Sequence, residues 1–381
     1  MMSSGSLGML EMVLLNDFKR QWRDTRESVL EAVNAVGESG WYILGREVAE
    51  FESALAAYWG RAHAVGVASG LDALELSLRA LGCGPGEKVL TSPISALATA
   101  LAIVKTGATP VFVDCAPCGL IDLDASEDLL RTRPDVRFFL PVHLYGQCLN
   151  MRRLADLKRR FGVKLVEDCA QSIGASNDGI ASGTAGDCAA TSFYPTKNLG
   201  AMGDGGAVLT SDDAGAQAVR VLRDYSRSGN YGPVTLGFNS RLDELHASIL
   251  RRAYLPKLPA WTARRRAIAA RYLRELANPA IEPLPSPPGS SSCWHLFPVR
   301  VLSGDKKLFM TYLHERGILT GEHYPSALMD QPVMREIRHE CRGEPHTARA
   351  ICLSEVSLPI HPYLTDAEAG FVIETVNAWR A

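Results

Sequence analysis

Between about residue 60 and residue 250, short apolar runs alternate with amphipathic segments whose apolar residues recur at helical spacing. This is the pattern of strand, crossover helix and parallel strand, and it predicts an α/β protein built on a mixed, mostly parallel sheet. Helices are predicted at 71–81 and 151–161. Strands are predicted at 63–67, 88–92, 109–113, 138–141, 164–167, 189–193 and 206–209.

The length of 381 residues favours a large domain with a smaller one beside it. An Arg- and Ala-rich helical stretch at 242–273 ends at the Pro-rich segment 278–292, which indicates a change of structural unit. After it, 293–301 is predicted to be a strand, and 306–315 and 366–379 are predicted helices. We therefore expect a flexible N-terminus at 1–12, a large domain at 13–255 and a small C-terminal α/β domain at 256–381.

Charge and hydropathy argue against two classes of partner. The 40 Lys and Arg residues nearly balance the 42 Asp and Glu residues, and no long run of either sign stands out, so nucleic acid is not an expected partner. No stretch approaches the roughly 20 apolar residues that span a bilayer, so no membrane association is expected. The small, uncharged start of the chain lacks the pattern of a secretory signal, and we expect a cytoplasmic protein.

Nine cysteines, an odd number scattered along the chain, indicate reduced thiols and no disulfide framework. Cys115 and Cys118 form a CxxC pair, but a second such pair is missing. The other possible ligands have a spacing that matches no common zinc module, and no metal site is predicted: His339, Cys341, His346 and Cys352.

Ligands of open α/β sheets bind beyond the carboxyl ends of the strands, so residues that follow strands are the candidate site. Ser69 and Gly70 lie where the first strand meets a helix, whose unpaired N–H groups can hold a phosphate. The same pair more often forms a simple helix cap and turn. Taken alone, this group does not decide between the two interpretations.

Two further groups follow strands and carry ionisable side chains. Glu167 and Asp168 end a strand, where a carboxylate can cap a helix, bind a metal or hold a protonated ring nitrogen, and Gln171 follows within reach of the same pocket. Lys197 lies 29 residues beyond Asp168, after the strand that ends near Ser192. Although a lone lysine is usually a solvated surface charge, Gly200, Gly203, Gly205 and Gly206 permit tight and left-handed turns that would bury this one, lower its pKa and leave a free amine.

Ordered motifs along most of the chain resemble the DegT/DnrJ/EryC1/StrS family of pyridoxal-phosphate enzymes, which are mostly nucleotide-sugar aminotransferases. The likeness extends from GWYILGREVAEFE at 40–52 to LSLPIHPYLTDAE at 357–368. Between them lie SGLDALELSL (69–78), VEDCAQS (166–172), SFYPTKNLG (192–200), GFNSR (237–241), WHLFPVRV (294–301) and EHYPSAL (322–328). The resemblance implies the aspartate aminotransferase (type I) fold, with the cofactor bound in the large domain.

The resemblance also implies a role for each matching residue. Lys197 would form a Schiff base with pyridoxal 5'-phosphate (PLP) and move the proton between substrate and cofactor, while Asp168 would pair with the pyridinium nitrogen. Gln171 would contact the phenolic oxygen of the ring. The phosphate would be held by Ser69, Gly70, Leu71 and Ser192, and by Asn239 from the neighbouring subunit of a homodimer.

The sequence departs from the family pattern at two positions. Leu71 stands where many members have threonine, which removes a hydroxyl and leaves the backbone N–H. Ala96 stands where many carry an aromatic residue that stacks on the pyridine ring, so the stacking partner is missing or comes from elsewhere. His323 and Tyr324 resemble a segment near the sugar-nucleotide site, and a packed turn before Pro325 explains them equally well.

The implied reaction moves an amino group from L-glutamate to a keto group of a nucleotide-linked (dTDP or UDP) deoxysugar. One alternative is amination of a keto-cyclitol, because the residues that bind the cofactor do not identify the acceptor. A PLP-dependent sugar dehydratase is less compatible with Lys197, because those relatives commonly have histidine there. A nicotinamide-dependent dehydrogenase is disfavoured because Gly82, Gly84 and Gly86 precede a strand. A ligand-sensing regulator on the same fold would not require Lys197 and Asp168 together.

Overall fold

A computed structural model describes residues 12–227 and 236–380, so residues 1–11 of the segment expected to be flexible lie outside the described residues. The structure has an α/β fold. Its helices are α1 Phe18–Ser39, α2 Arg46–Trp59, α3 Gly70–Ala80, α4 Leu97–Lys105, α5 Leu123–Thr132, α6 Met151–Phe161, α7 Asp213–Leu222, α8 Glu244–Ile249, α9 Leu258–Glu275, α10 Lys306–Glu315, α11 Pro332–Arg335, α12 His346–Ser354 and α13 Asp366–Ala378.

The strands form one large sheet and two small ones. They are β1 His63–Val67, β2 Lys88–Thr91, β3 Thr109–Phe112, β4 Phe138–Leu140, β5 Lys164–Asp168, β6 Ser176–Asn177, β7 Ile180–Ala181, β8 Cys188–Ser192, β9 Gly206–Thr210, β10 Ile281–Pro283, β11 Ser290–Ser291, β12 Phe297–Val301, β13 Glu340–Cys341 and β14 Glu355–Leu358. The large sheet has the order β1-β9-β8-β5-β4-β2-β3-β13, in which only β9 is antiparallel to its neighbours. The predicted mixed, mostly parallel sheet is therefore confirmed.

Each of the seven strands predicted between residues 63 and 210 is present, with ends within one residue of the prediction. The helices at 151–161 and 306–315 are also confirmed. The stretch at 242–273 is α8, a π-helical turn at Leu250–Tyr254, a 3-10 turn at Leu255–Lys257 and α9. These boundaries were predictable because period-two and period-3.6 patterns are local properties of the sequence.

The strand predicted at 293–301 begins only at Phe297, so its first four residues were assigned wrongly. Cys293 N–H donates to the Gly146 carbonyl, and Leu296 N–H donates to the Tyr145 carbonyl. These residues bond to the turn at Leu144–Gly146 instead of to a neighbouring strand. An apolar run alone does not distinguish the two arrangements.

The small antiparallel sheet β10-β12-β14 has its own core with α9, α10 and α13. Val13 belongs to this core, because its backbone bonds to Gly317 and Leu319. Conversely, β13 belongs to the C-terminal part of the chain but pairs with β3 in the large sheet. The division of the chain at residue 255 stays a prediction. No helix within 12–227 and 236–380 is both long and apolar enough to cross a membrane.

Candidate active site

A cavity of about 330 Å³ lies at the carboxyl ends of the parallel strands. Because β9 is antiparallel, its first residue, Gly206, also lies at this edge of the sheet. Eight of the predicted site residues line the cavity: Gly70, Leu71, Asp168, Gln171, Ser192, Lys197, His323 and Tyr324. Gly70 and Tyr324, 254 positions apart in the chain, thus meet at one place.

Lys197 lies in the tight connection between β8 and β9. Its backbone N–H donates to the Tyr194 carbonyl, and Gly200 lies so close to the Pro195 carbonyl that a Cβ atom there would overlap it. Positive φ angles are absent at the four glycines after Lys197, so the prediction of left-handed turns there is wrong. Their role is close packing, as each has a neighbouring atom that a Cβ would approach too closely: Gly200, Gly203, Gly205 and Gly206.

The Lys197 side chain is partly buried in the cavity wall, and its amine has no hydrogen-bond or ion-pair partner within the described part of the chain. Burial lowers its pKa to about 8, against a smaller opposing effect of the Asp168 charge. At pH 7 the free-amine fraction is therefore on the order of one tenth, far larger than for a lysine of ordinary pKa, and the free amine is the form that attacks a carbonyl.

Asp168, at the end of β5, is buried with no cationic side chain bonded to it within residues 12–227 and 236–380. Its Oδ2 accepts a hydrogen bond of 2.9 Å from Thr99 Oγ1, and its Oδ1 accepts one of 3.1 Å from Ala170 N–H. Ser95 Oγ lies 2.6 Å from Thr99 Oγ1 and must donate to it, because the Thr99 proton is directed at Asp168. Burial raises the pKa of Asp168, so a nearby cation would stabilise its ionised form.

Glu167, the neighbour of Asp168, faces the opposite side of the sheet, as alternation along a strand requires. Its Oε1 accepts from Gly186 N–H, and its Oε2 accepts from Gly183 N–H and from His143 Nε2. His143 Nδ1 in turn accepts from Leu149 N–H. His143, Glu167 and Cys169 lie close enough to hold a metal ion, but these hydrogen bonds already occupy the carboxylate and both imidazole nitrogens. We interpret this buried group as structural.

The start of α3 forms an anion-binding cradle. Ser69 Oγ accepts from Asp72 N–H, while the N–H groups of Gly70 and Leu71 have no acceptor among the residues that the structure describes. A Cβ atom at Gly70 would lie 2.6 Å from Ser192 Cβ, so only glycine allows the end of β8 to approach the helix start. Two free amides, the Ser69 and Ser192 hydroxyls and the positive end of the helix dipole suit a phosphate.

Gln171 is held from two sides. Its Oε1 accepts from Tyr145 N–H at 2.7 Å, and its Nε2 donates to the Tyr324 hydroxyl at 3.2 Å. Burial raises the pKa of Tyr324, so its hydroxyl remains protonated. Ala96 lines the same cavity without an aromatic ring, and the tyrosines that do line it are Tyr324 and Tyr194, from other segments.

Two histidines of the cavity are neutral. Burial lowers the pKa of His323 to about 4 and that of His295 well below its ordinary value, and the charge of Lys197 acts in the same direction on both. His295 Nδ1 lies 3.2 Å from Asn198 Oδ1, so this nitrogen carries the proton. His323 is likewise fixed through Nδ1, which lies 3.0 Å from Ser357 Oγ.

Asn239 does not line the cavity of its own chain and is exposed. The next residue, Ser240, points inward: its hydroxyl accepts from Ala68 N–H and donates to Asp72 Oδ2. In the GFNSR segment, Ser240 therefore supports the start of α3, whereas the residue before it, Asn239, faces outward.

PLP carries an aldehyde, a pyridine nitrogen and a phosphate. Within the described residues, these three groups match, in order, the Lys197 amine, the Asp168 carboxylate that lacks a cationic partner, and the free N–H groups at the start of α3. Fold and site together define a PLP-dependent transferase of the aspartate aminotransferase (type I) fold. Residues 23–377 match the model of the DegT/DnrJ/EryC1/StrS aminotransferase family. The chain belongs to this family and is an aminotransferase.

Several relatives are similar over nearly their full length. The chain is 41% identical over 368 residues to the dTDP-3-amino-3,4,6-trideoxy-alpha-D-glucose transaminase of Streptomyces venezuelae, a match that covers 95% of each protein. It is 35% identical over 362 residues to the UDP-N-acetyl-3-dehydro-alpha-D-glucosamine 3-aminotransferase of Acidithiobacillus ferrooxidans, covering 95% of this chain and 96% of that protein. The crystal structure of S. venezuelae DesV in complex with a ketimine intermediate superposes with a TM-score of 0.92 at 40% identity, covering 98% of this chain and 100% of that chain.

Several residues of the site were not identified from the sequence. Ser95 and Thr99 act through Asp168, and His295, in the WHLFP motif, received no role although its motif was recognised. Hydroxyl and imidazole groups in ordinary helix or loop positions carry no spacing signal. Only their position beside the cavity distinguishes them.

Proposed function

We propose that this protein transfers the amino group of L-glutamate to the C3 keto group of a dTDP-linked deoxysugar. The observation that carries the proposal is the partly buried Lys197 amine, which has no bonded partner among residues 12–227 and 236–380 and lies in the cavity that also contains Asp168. PLP bound in this cavity supplies an electron sink for the bonds broken at the substrate carbon.

The chain contributes binding, orientation and proton transfer. Ser69, Gly70, Leu71 and Ser192 hold the phosphate through hydroxyls and free amides. Asp168, oriented by Thr99, keeps the ring nitrogen protonated, so that the ring withdraws electrons more strongly. In the same cavity the Lys197 amine removes a proton from the donor carbon and returns one to the acceptor carbon.

Gln171 and the residues beside it orient the substrate end of the cavity. The Gln171 Nε2 group has a second hydrogen that is not used by Tyr324, and this hydrogen would be available to the phenolic oxygen of the cofactor. His323 and Tyr324 line the wall where the sugar enters. The names of the similar transaminases of S. venezuelae and A. ferrooxidans both specify a nitrogen at C3, which supports this carbon, and the higher identity favours dTDP over UDP.

A homodimer with shared active sites is part of the proposal. Asn239 is exposed and lies away from its own cavity, so its side chain is available to the phosphate of a partner subunit. Several large apolar side chains of the described residues are exposed, among them Trp41, Tyr42, Tyr194 and Met202. Covering such residues is a common reason for subunit association.

The proposal is tested by supplying the PLP-loaded protein with L-glutamate and, separately, a dTDP-linked 3-keto sugar, its UDP-linked counterpart, a 4-keto sugar and a keto-cyclitol. The expected result is formation of 2-oxoglutarate with the dTDP-linked 3-keto sugar, together with an amino sugar of the matching mass. Lys197→Ala should be inactive, and Lys307→Ala, an exposed lysine on α10, should behave like the wild type. Preferential turnover of the cyclitol, or no turnover of any ketone, would refute the assignment.

A further inference from the structure

Three side chains form a hydrogen-bonded line that leads from the interior to the cavity. Glu355, on β14, is fully buried, and its Oε1 accepts a hydrogen bond of 2.5 Å from Ser357 Oγ. Ser357 Oγ lies 3.0 Å from His323 Nδ1, and the His323 ring lines the cavity. The other imidazole nitrogen, Nε2, has no hydrogen-bond partner among residues 12–227 and 236–380.

Glu355 also holds the backbone of the same histidine. Its Oε2 accepts from His323 N–H at 2.7 Å, and the His323 carbonyl accepts from the Tyr145 hydroxyl at 2.6 Å. The backbone and the ring of His323 are thus fixed by one carboxylate and its neighbours. A packed turn before Pro325 would not require this many hydrogen bonds to a single histidine.

We propose that Glu355 and Ser357 are positioning residues that set the tautomer of His323 and thereby present the bare Nε2 lone pair to the amino groups handled in the cavity. A serine hydroxyl has one proton. When Glu355 is ionised, Ser357 must donate to it, and His323 Nδ1–H must donate to Ser357. Nε2 is then an acceptor, suited to the N–H groups of the amino donor and of Lys197.

Protonation of Glu355 reverses the direction of each hydrogen bond between Glu355, Ser357 and His323. The carboxylic acid then donates to Ser357, the Ser357 hydroxyl donates to Nδ1, and the proton of the imidazole moves to Nε2. Burial raises the pKa of Glu355 to about 7, so both arrangements are accessible near neutral pH. The charged and titratable groups that surround Glu355 are Lys306, Glu322, His323, Tyr145, Tyr324, Cys352 and, across the β12–β14 pair, Arg300.

This inference deepens the proposed function, because an acceptor facing the cavity serves a reaction in which amino groups enter and leave. It also gives Glu355→Gln an unambiguous expected effect. The His323 N–H can only donate, so the amide oxygen of the new glutamine must face it, and the amide NH₂ must face Ser357. The Ser357 hydroxyl is then left to donate to Nδ1, and the tautomer inverts.

The test uses the full-length protein with ¹⁵N-labelled histidine, and His323→Gln identifies the signals of this residue. At pH 8, the wild type should show Nδ1 protonated and Nε2 bare, and Glu355→Gln should show the reverse. Ser357→Thr should keep the wild-type tautomer, and Ser357→Ala should populate both. If Glu355→Gln does not fold, the two Ser357 variants still decide the outcome.

A kinetic readout accompanies the spectrum. In the holoenzyme, the half-reaction with L-glutamate should be about tenfold slower in Glu355→Gln at low substrate, the effect of one lost hydrogen bond, while Ser357→Thr keeps the rate. The same His323 tautomer in the wild type and in Glu355→Gln would overturn the inference and leave the proposed function intact. Inactivity of the wild type with every amino donor would refute the proposed function without affecting the NMR result.

Discussion

The Thr99 hydroxyl donates a hydrogen bond of 2.9 Å to Asp168 Oδ2, across 69 positions of the chain. Thr99 lies on α4 and Asp168 at the end of β5, so the bond joins the helix after β2 to a strand two places away in the sheet. The Ser95 hydroxyl in turn donates to Thr99 Oγ1. The orientation of the carboxylate is therefore set in part by two hydroxyl groups that do not line the cavity.

Replacing Asp168 with Asn keeps the size of the side chain and removes its charge. We expect turnover to fall on the order of 10²-fold, because a neutral amide does not hold the ring nitrogen protonated. Thr99→Val should give a smaller loss, of roughly tenfold, because one charge-assisted hydrogen bond is removed while the charge remains. Steady-state kinetics of both variants, with Thr132→Val on α5 as the surface control, would check this order. A larger effect for Thr99→Val than for Asp168→Asn would contradict it.

The pH dependence of cofactor attachment should report the Lys197 amine. Its pKa is lowered to about 8, and only the free amine attacks the aldehyde, so the rate of PLP attachment should rise with pH with a midpoint near 8. Rapid-mixing absorbance measurements from about pH 6 to about pH 10, at intervals of roughly one pH unit, would follow the rate of attachment. Lys197→Ala should show no attachment. A midpoint near 10, the ordinary lysine value, would mean that the amine is solvated.

Shared active sites predict complementation between two inactive variants. Lys197→Ala lacks the amine but carries an intact Asn239, and Asn239→Ala has the opposite defect. A mixed dimer contains one site with both groups, so co-expression should restore part of the activity that each variant lacks alone. Activity of the purified mixed dimer, compared with each homodimer at equal concentration, measures this. No recovery in a verified mixed dimer would place Asn239 outside the partner's site.

Arg265 should be important for stability. It is fully buried on α9 and donates to the carbonyls of Trp294, His295 and Ile360, and burial lowers its pKa to about 10. Arg265→Met leaves these carbonyls without a donor, which should lower the free energy of unfolding by roughly 3 kcal/mol.

The matched control is Arg274→Met on the same helix. Arg274 is largely exposed and pairs with Glu275, so its loss should cost at most about 1 kcal/mol. Urea unfolding of both variants and the wild type provides the comparison. Equal stabilities of the two variants would show that water replaces the buried guanidinium.

Glu355 predicts a specific dependence of stability on pH. Its pKa is raised from 4.5 to about 7 in the folded state, so the folded protein binds more protons than the unfolded chain between these values. Stability should therefore fall as pH rises through this window, by on the order of 3 kcal/mol from this group. Glu355→Gln should lose less stability between pH 5 and pH 8 than the wild type. Glu374→Gln, an exposed residue of α13, should follow the wild type in urea unfolding at both pH values.

The α/β class, most strand and helix boundaries and the pair Asp168 and Lys197 were predictable from the sequence. Strands and helices have local periods, and a carboxylate and a lysine after successive strands combine residue type with position. The late start of β12 was missed because residues 293–296 bond to the turn at Leu144–Gly146, a contact with no local signature. The close packing around Lys197 that its glycines predicted is confirmed, whereas the left-handed turns predicted with it are absent at these four positions.

What the sequence determined by itself is the order of strands and helices along the chain and the chemical groups available at the strand ends, because both depend on neighbouring residues. The tertiary structure decided that Asp168 faces the cavity while Glu167 faces a buried histidine, because the faces of a sheet are defined only by what packs on them. It also decided that Glu355 and Ser357 meet His323. A hydrogen bond between residues 34 positions apart exists only once β14 and the segment before Tyr324 have packed together.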